Sequence, residues 1–152
     1  MSSILVVAAH ADDEVLGCGG CIARHVAEGD TVNVVYMADG VSSRSEDKTL
    51  SLASRQAAAA KAQEILGIKR AYYLELPDNR MDSLALLDIV KPLEKIVLSL
   101  KPEIVYTHHY GDLNIDHKIT HKAVMTICRP LPDFSVKETY TFEVMSSTEW
   151  NS

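Results

Sequence analysis

The segment HADDE at residues 10–14 places an imidazole and three consecutive carboxylates directly after the apolar run ILVVA. Like charges this close raise one another's energy unless a cation or solvent offsets them. A second polar cluster, His108, His109, Asp112, Asp116 and His117, follows another apolar run far along the chain. A catalytic zinc site takes three protein ligands from histidine and carboxylate and leaves a fourth place for water. Two ligands from one cluster and a third from the other would give two histidines and one carboxylate, a set that also suits Fe(II).

The elements that would carry these clusters follow from hydrophobic patterning. Apolar, β-rich runs at 4–9, 31–38, 71–76, 103–109 and 137–145 read as strands, and amphipathic stretches at 15–28, 50–66, 84–100 and 117–128 read as helices, with an irregularity expected at Pro92. Strand and helix alternate, which predicts an α/β fold with a mostly parallel sheet and right-handed crossovers. Such sheets bind ligands beyond the carboxyl ends of their strands, where strand order reverses. The segments 10–14, 39–44, 78–82 and 108–117 then all lie on one rim. In the order 3-2-1-4-5, strands one and four are neighbours, and the two chemical clusters face each other.

At these positions the chain resembles the PIG-L/LmbE-like zinc N-deacetylases. AHADDE at 9–14 is similar to the family signature AHPDDE, LGCGG continues it, and NIDH at 114–117 is similar to HPDH. RQAAAAKAQEILGI and LELPDNRMD also look like that family's middle, so the resemblance spans roughly residues 3–130. It implies a Rossmann-like three-layer sandwich that removes an N-acetyl group from an amino sugar, glycoside or nucleotide sugar, such as an N-acetylglucosamine derivative, by attack of zinc-bound water. By position, His10, Asp13 and His117 would hold Zn2+, with Fe2+ as the other divalent candidate, and Asp12 would be the general base. Arg55, Asp78, His109 and Asn114 would meet substrate, and Asp116 would support the ligands. Two departures stand out: Ala11 replaces the family's proline, and Asn114 replaces the first histidine of HPDH, whose task as oxyanion donor would pass to His108, His109 or the Asn amide itself. Members of that family are usually longer than this chain of 152 residues. The expected architecture is therefore one LmbE-like domain over 1–152 that lacks the family's C-terminal part, and the competing function is a shortened, non-catalytic metal- or ligand-binding relative.

Other features have plainer readings. Glu14 reads as a structural carboxylate near a helix start. His121, one helical turn after His117, lacks the glutamate of HExxH and reads as a supporting or surface residue. Arg44 is either a substrate contact or a solvated loop residue. Cys18 and Cys21 form CGGC, a spacing that redox pairs use, but the glycines read better as close packing of helix on sheet. A net charge of −6 argues against a nucleic-acid partner. No apolar stretch approaches a membrane span or a signal peptide, and three cysteines suit reduced thiols in a cytoplasm. A homo-oligomer is left open.

Overall fold

A computed structural model describes residues 1–43, 48–145 and 147–148, with the backbone alone at 48–52. Strands β1 (Ser3–Ala8), β2 (Thr31–Ala38), β3 (Arg70–Leu76), β4 (Ile104–His108) and β5 (Glu138–Phe142) alternate with helices α1 (Asp13–Ala27), α2 (Lys48–Leu66), α3 (Leu86–Leu100) and α4 (Ile115–Ile127). The sheet is parallel throughout, in the order β3-β2-β1-β4-β5. The central strands are continuous apolar runs because helices cover both their faces. Leu5, Val7, Val35, Met37 and Val105 pack under Ile89, Leu93 and Val97 of α3 and Val124 of α4. Ile4, Val6, Val34 and Tyr36 pack on the other face against Cys18 and Ile22 of α1. No helix among the described residues is long and apolar enough to cross a membrane.

Register brings the two clusters together. Val7 pairs with Thr107, and His108 in turn pairs with Phe142. The chain leaving β1 at Ala8 therefore meets the chain leaving β4 at His108. Helix α1 starts at Asp13, earlier than the pattern suggests, so Asp13 and Glu14 occupy its first turn. Helix α4 starts at Ile115, which puts His117 in its first turn. Helix α3 runs unbroken through Pro92, held by its buried face.

Strand β5 is shorter than the expected 137–145, because Val144 turns back through bonds from the Ser147 and Thr148 N–H groups to its carbonyl (3.0 and 2.9 Å). In CGGC, Cys18 is buried and Cys21 exposed, both as free thiols. Burial pushes the Cys18 thiol well up, the opposite of what a thiolate nucleophile needs. The close packing falls on Gly17, where a Cβ would lie 2.2 Å from the Phe142 ring, and not on Gly20, which faces open space.

Candidate metal centre

Three side-chain atoms converge where β1 and β4 end. His10 Nδ1, His117 Nε2 and Asp13 Oδ2 are each 3.3 Å from the other two. A tetrahedral ion with ligand bonds of about 2.0–2.1 Å requires its ligand atoms about 3.3–3.4 Å apart, so the triangle has the size of one zinc-like coordination face.

Hydrogen bonds behind the triangle aim these atoms. His10 Nε2 lies 3.1 Å from Asp116 Oδ2 and 3.2 Å from Asp78 Oδ1, so its proton goes to carboxylates and Nδ1 is left with a lone pair. Asp116, fully buried, is pinned by the N–H groups of Asn79 (2.7 Å) and Met81 (3.2 Å). His117 Nδ1 likewise donates to Asp112 Oδ2 (2.9 Å), leaving the Nε2 lone pair. Asp13 accepts the N–H of His10 (2.8 Å). Three electron pairs thus face one point, an arrangement that requires a cation or an extra proton between them. The donor set fits a divalent metal held by His10, Asp13 and His117.

Without a metal, the surrounding carboxylates favour an added proton on the imidazoles of the triangle. Burial disfavours the imidazolium of His10, but the hydrogen bonds and charges of Asp116 and Asp13 outweigh it and raise its pKa to about 10. Burial alone would raise the Asp13 carboxyl; its close contacts with the His10, His108 and His117 imidazoles outweigh it and hold it well below its ordinary value. The His10 contribution to stability is whole below its ordinary value of 6.5 and is lost as pH rises through about 10. The Asp13 contribution is whole above its ordinary value of 3.8 and is lost as pH falls further. Chelator-treated protein is expected to melt highest between those two ordinary values and progressively lower toward pH 10. A melting temperature flat across that alkaline range would contradict the added proton.

A cleft of about 280 Å³ opens over the triangle, lined also by Asp12, Arg55, Asn79, Asn114 and Ser147. Asp12 is the N-cap residue of α1 but makes no capping bond with its side chain, which stays half-exposed toward the cleft. Partial burial and the charge of Asp13 push its carboxyl pKa up, against the pull of Arg55, whose Nη2 is 3.9 Å away. Arg55 lies against the backbone of Gly40, where φ is +70° and a Cβ would approach its Nε to 3.2 Å. Asn114 caps α4, its Oδ1 accepting the N–H groups of Asp116 (2.8 Å) and His117 (3.4 Å). Those bonds settle which end of the amide is oxygen, and its Nδ2 donors face Asn79 Oδ1 at 3.4 Å in the cleft.

Other expected residues sit elsewhere. Asp78, expected at substrate, is buried behind His10, and its carboxylate accepts from the Ser43 hydroxyl and Asn79 Nδ2. Neither His108 nor His109 lines the cleft. His108 is fully buried, stacked on His117 at 3.9 Å, with Nε2 accepting the Ala9 N–H (2.9 Å) and Nδ1 without a partner among the described residues. His109 turns to the Gly111 N–H and the Tyr110 ring. His121 donates to the His108 carbonyl (2.8 Å). Glu14 is buried, bonded to the Tyr36 hydroxyl (2.6 Å). Arg44 lies outside the described residues. The sequence reading gives no role to Asn79, whose φ of +52° turns it into the cleft, or to Ser147. Asp112 it counts only as a potential ligand, without its role behind His117.

A family model described as PIG-L, GlcNAc-PI de-N-acetylase, matches residues 5–128. An Escherichia coli K12 protein, the uncharacterized deacetylase YaiS, is 35% identical over 141 residues, covering 90% of this chain and 73% of its own. The N,N'-diacetylchitobiose deacetylase of Pyrococcus horikoshii is similar in structure with a TM-score of 0.74 at 26% identity, over 88% of this chain and 52% of that one. GalB, the 4-carboxy-2-hydroxymuconate hydratase of Pseudomonas putida, is similar with a TM-score of 0.75 at 26% identity, over 93% of this chain and 62% of that one. The chain thus spans between about half and three quarters of the length of these relatives.

Proposed function

Because the chain belongs to the PIG-L, or GlcNAc-PI de-N-acetylase, family, we propose that it is a metal-dependent hydrolase that removes the N-acetyl group of an amino sugar, glycoside or nucleotide sugar. The observation that carries this reading is the triangle of His10, Asp13 and His117 beside a carboxylate, Asp12, that no cap bond engages. A divalent metal held by the three, zinc first among the candidates, would supply Lewis acidity, polarising a carbonyl and making water acidic.

The chain's own groups do the rest. Asp12 takes the proton of the attacking water and returns it to the departing amine. Asn114 Nδ2 donates to the carbonyl oxygen as it gains charge, the task of the family histidine it replaces. Arg55 orients substrate hydroxyls and holds the Asp12 carboxylate. Asn79 and Ser147 add polar contacts suited to a sugar.

The likeness to a hydratase raises a second reading, since that enzyme too uses water. Its substrate, by name, is a polyanion. Among the described residues, Arg55 is the one arginine or lysine that lines the cleft, set against Asp12 and Asp13, which favours a neutral acetamido sugar. The test is acetate release from N-acetylglucosamine and diacetylchitobiose by protein stripped with chelator and by the same protein reloaded with zinc. Release by the reloaded sample alone is the expected result. No acetate from any N-acetylated amino sugar would overturn the proposal.

A further inference from the structure

We infer that Thr148, together with Ser147, is a positioning residue for His117, acting through Asp112. The inference deepens the reading of His10, Asp13 and His117 as a metal site and rests on it. Asp112 is fully buried between α4 and the turn that follows β5. Its Oδ2 accepts from Thr148 Oγ1 (2.7 Å), Ser147 Oγ (2.9 Å) and His117 Nδ1 (2.9 Å). Its Oδ1 accepts the Asn114 N–H (2.8 Å). Both oxygens are therefore tied, and the carboxylate has one orientation in which to receive the imidazole proton.

The Thr148 hydroxyl has no freedom either. It accepts the Val144 N–H (2.9 Å), so its single proton is left for Asp112. The turn that carries it is braced by the Ser147 and Thr148 N–H bonds to the Val144 carbonyl and by the Leu113 N–H bond to the Ser147 carbonyl (3.3 Å). The fifth strand thus supplies the rim with a hydroxyl clamp where the other strand ends supply ligands, a base and substrate contacts.

A carboxylate behind a ligating imidazole fixes the ring's tautomer and direction, and loss of such a partner lowers metal affinity about 10–100-fold. The hydroxyls act one step further out. Without the Thr148 proton, Asp112 is buried one donor short and held only by Ser147, His117 and the Asn114 N–H, so the aim of His117 Nε2 is less firmly set.

The experiment compares Co2+ affinity, measured by competition against a chelator, in the wild-type protein, Thr148→Val, Thr148→Ser and Ser147→Ala. Valine keeps the shape of threonine and removes the hydroxyl. The expected result is a loss of roughly tenfold in Thr148→Val, restoration in Thr148→Ser, and a smaller loss in Ser147→Ala. Wild-type affinity in a folded Thr148→Val would show that the hydroxyl only holds the turn, and would overturn the inference. Should Thr148→Val fail to fold, Ser147→Ala decides: weakened binding supports the clamp and unchanged binding sinks it. A wild-type protein that binds neither Co2+ nor Zn2+ overturns the hydrolase reading as well, whereas one that binds metal as tightly as both hydroxyl variants overturns only the clamp.

Discussion

His117→Ala is expected to lose its metal and, with it, acetate release by on the order of 10³-fold or more, since a Lewis acid contributes several kcal/mol to the reaction. The substitution removes one corner of a triangle whose sides are all 3.3 Å. Two atoms remain, too few to close a tetrahedral site. The fold should survive, because Asp112 keeps the Asn114 N–H and both hydroxyls. The cost in stability should be about 1–3 kcal/mol, as for other buried truncations. Elemental analysis of the two purified proteins checks the claim: about one zinc per chain in the native protein and little in the variant. A variant that retains a full complement of metal would move the site elsewhere, and Asp78 with Asp116 around His10 would be the next group to examine.

Much of this arrangement is legible in the sequence, for a physical reason. Strands buried on both faces are written as continuous apolar runs, so ILVVA and its counterparts stand out, and the alternation with amphipathic helices leaves few topologies. Once β1 and β4 are neighbours, His10, Asp13 and His117 must approach one another. The supporting groups are harder to read. Asp78 belongs behind His10 because the loop after β3 folds under the rim, a matter of three-dimensional path that no local pattern encodes. His108 and His109 are adjacent in sequence, yet one is fully buried and the other is only partly so; the alternation of a strand end decides which, and a one-residue difference in where the strand stops reverses it. Ser147 and Thr148 carry the weakest signal of all. Hydroxyl residues after a strand read as an ordinary turn, and only the Val144 reversal brings them to Asp112.

Asp12→Asn is expected to keep the metal and lower deacetylation by about 10²–10⁴-fold, the range for a positioned general base. The amide has nearly the same shape, but it cannot accept and return a proton. Asp12 contributes no atom to the triangle, and its half-exposed side chain makes no capping bond, so neither metal binding nor folding should depend on its charge. Partial burial and the neighbouring Asp13 already lift its carboxyl pKa, which brings it nearer to the pH at which it must exchange a proton. The loss should fall on kcat more than on KM, because proton transfer belongs to the transition state and not to substrate binding. Paired with His117→Ala, the substitution separates two claims about one cleft: metal lost with activity for the histidine, metal retained without activity for the aspartate. An Asp12→Asn enzyme with the native rate would mean that another group moves the proton, or that the proton transfer is not limiting. An Asp12→Asn protein without metal would instead make Asp12 part of the coordination, and the division between Asp12 and Asp13 would have to be redrawn.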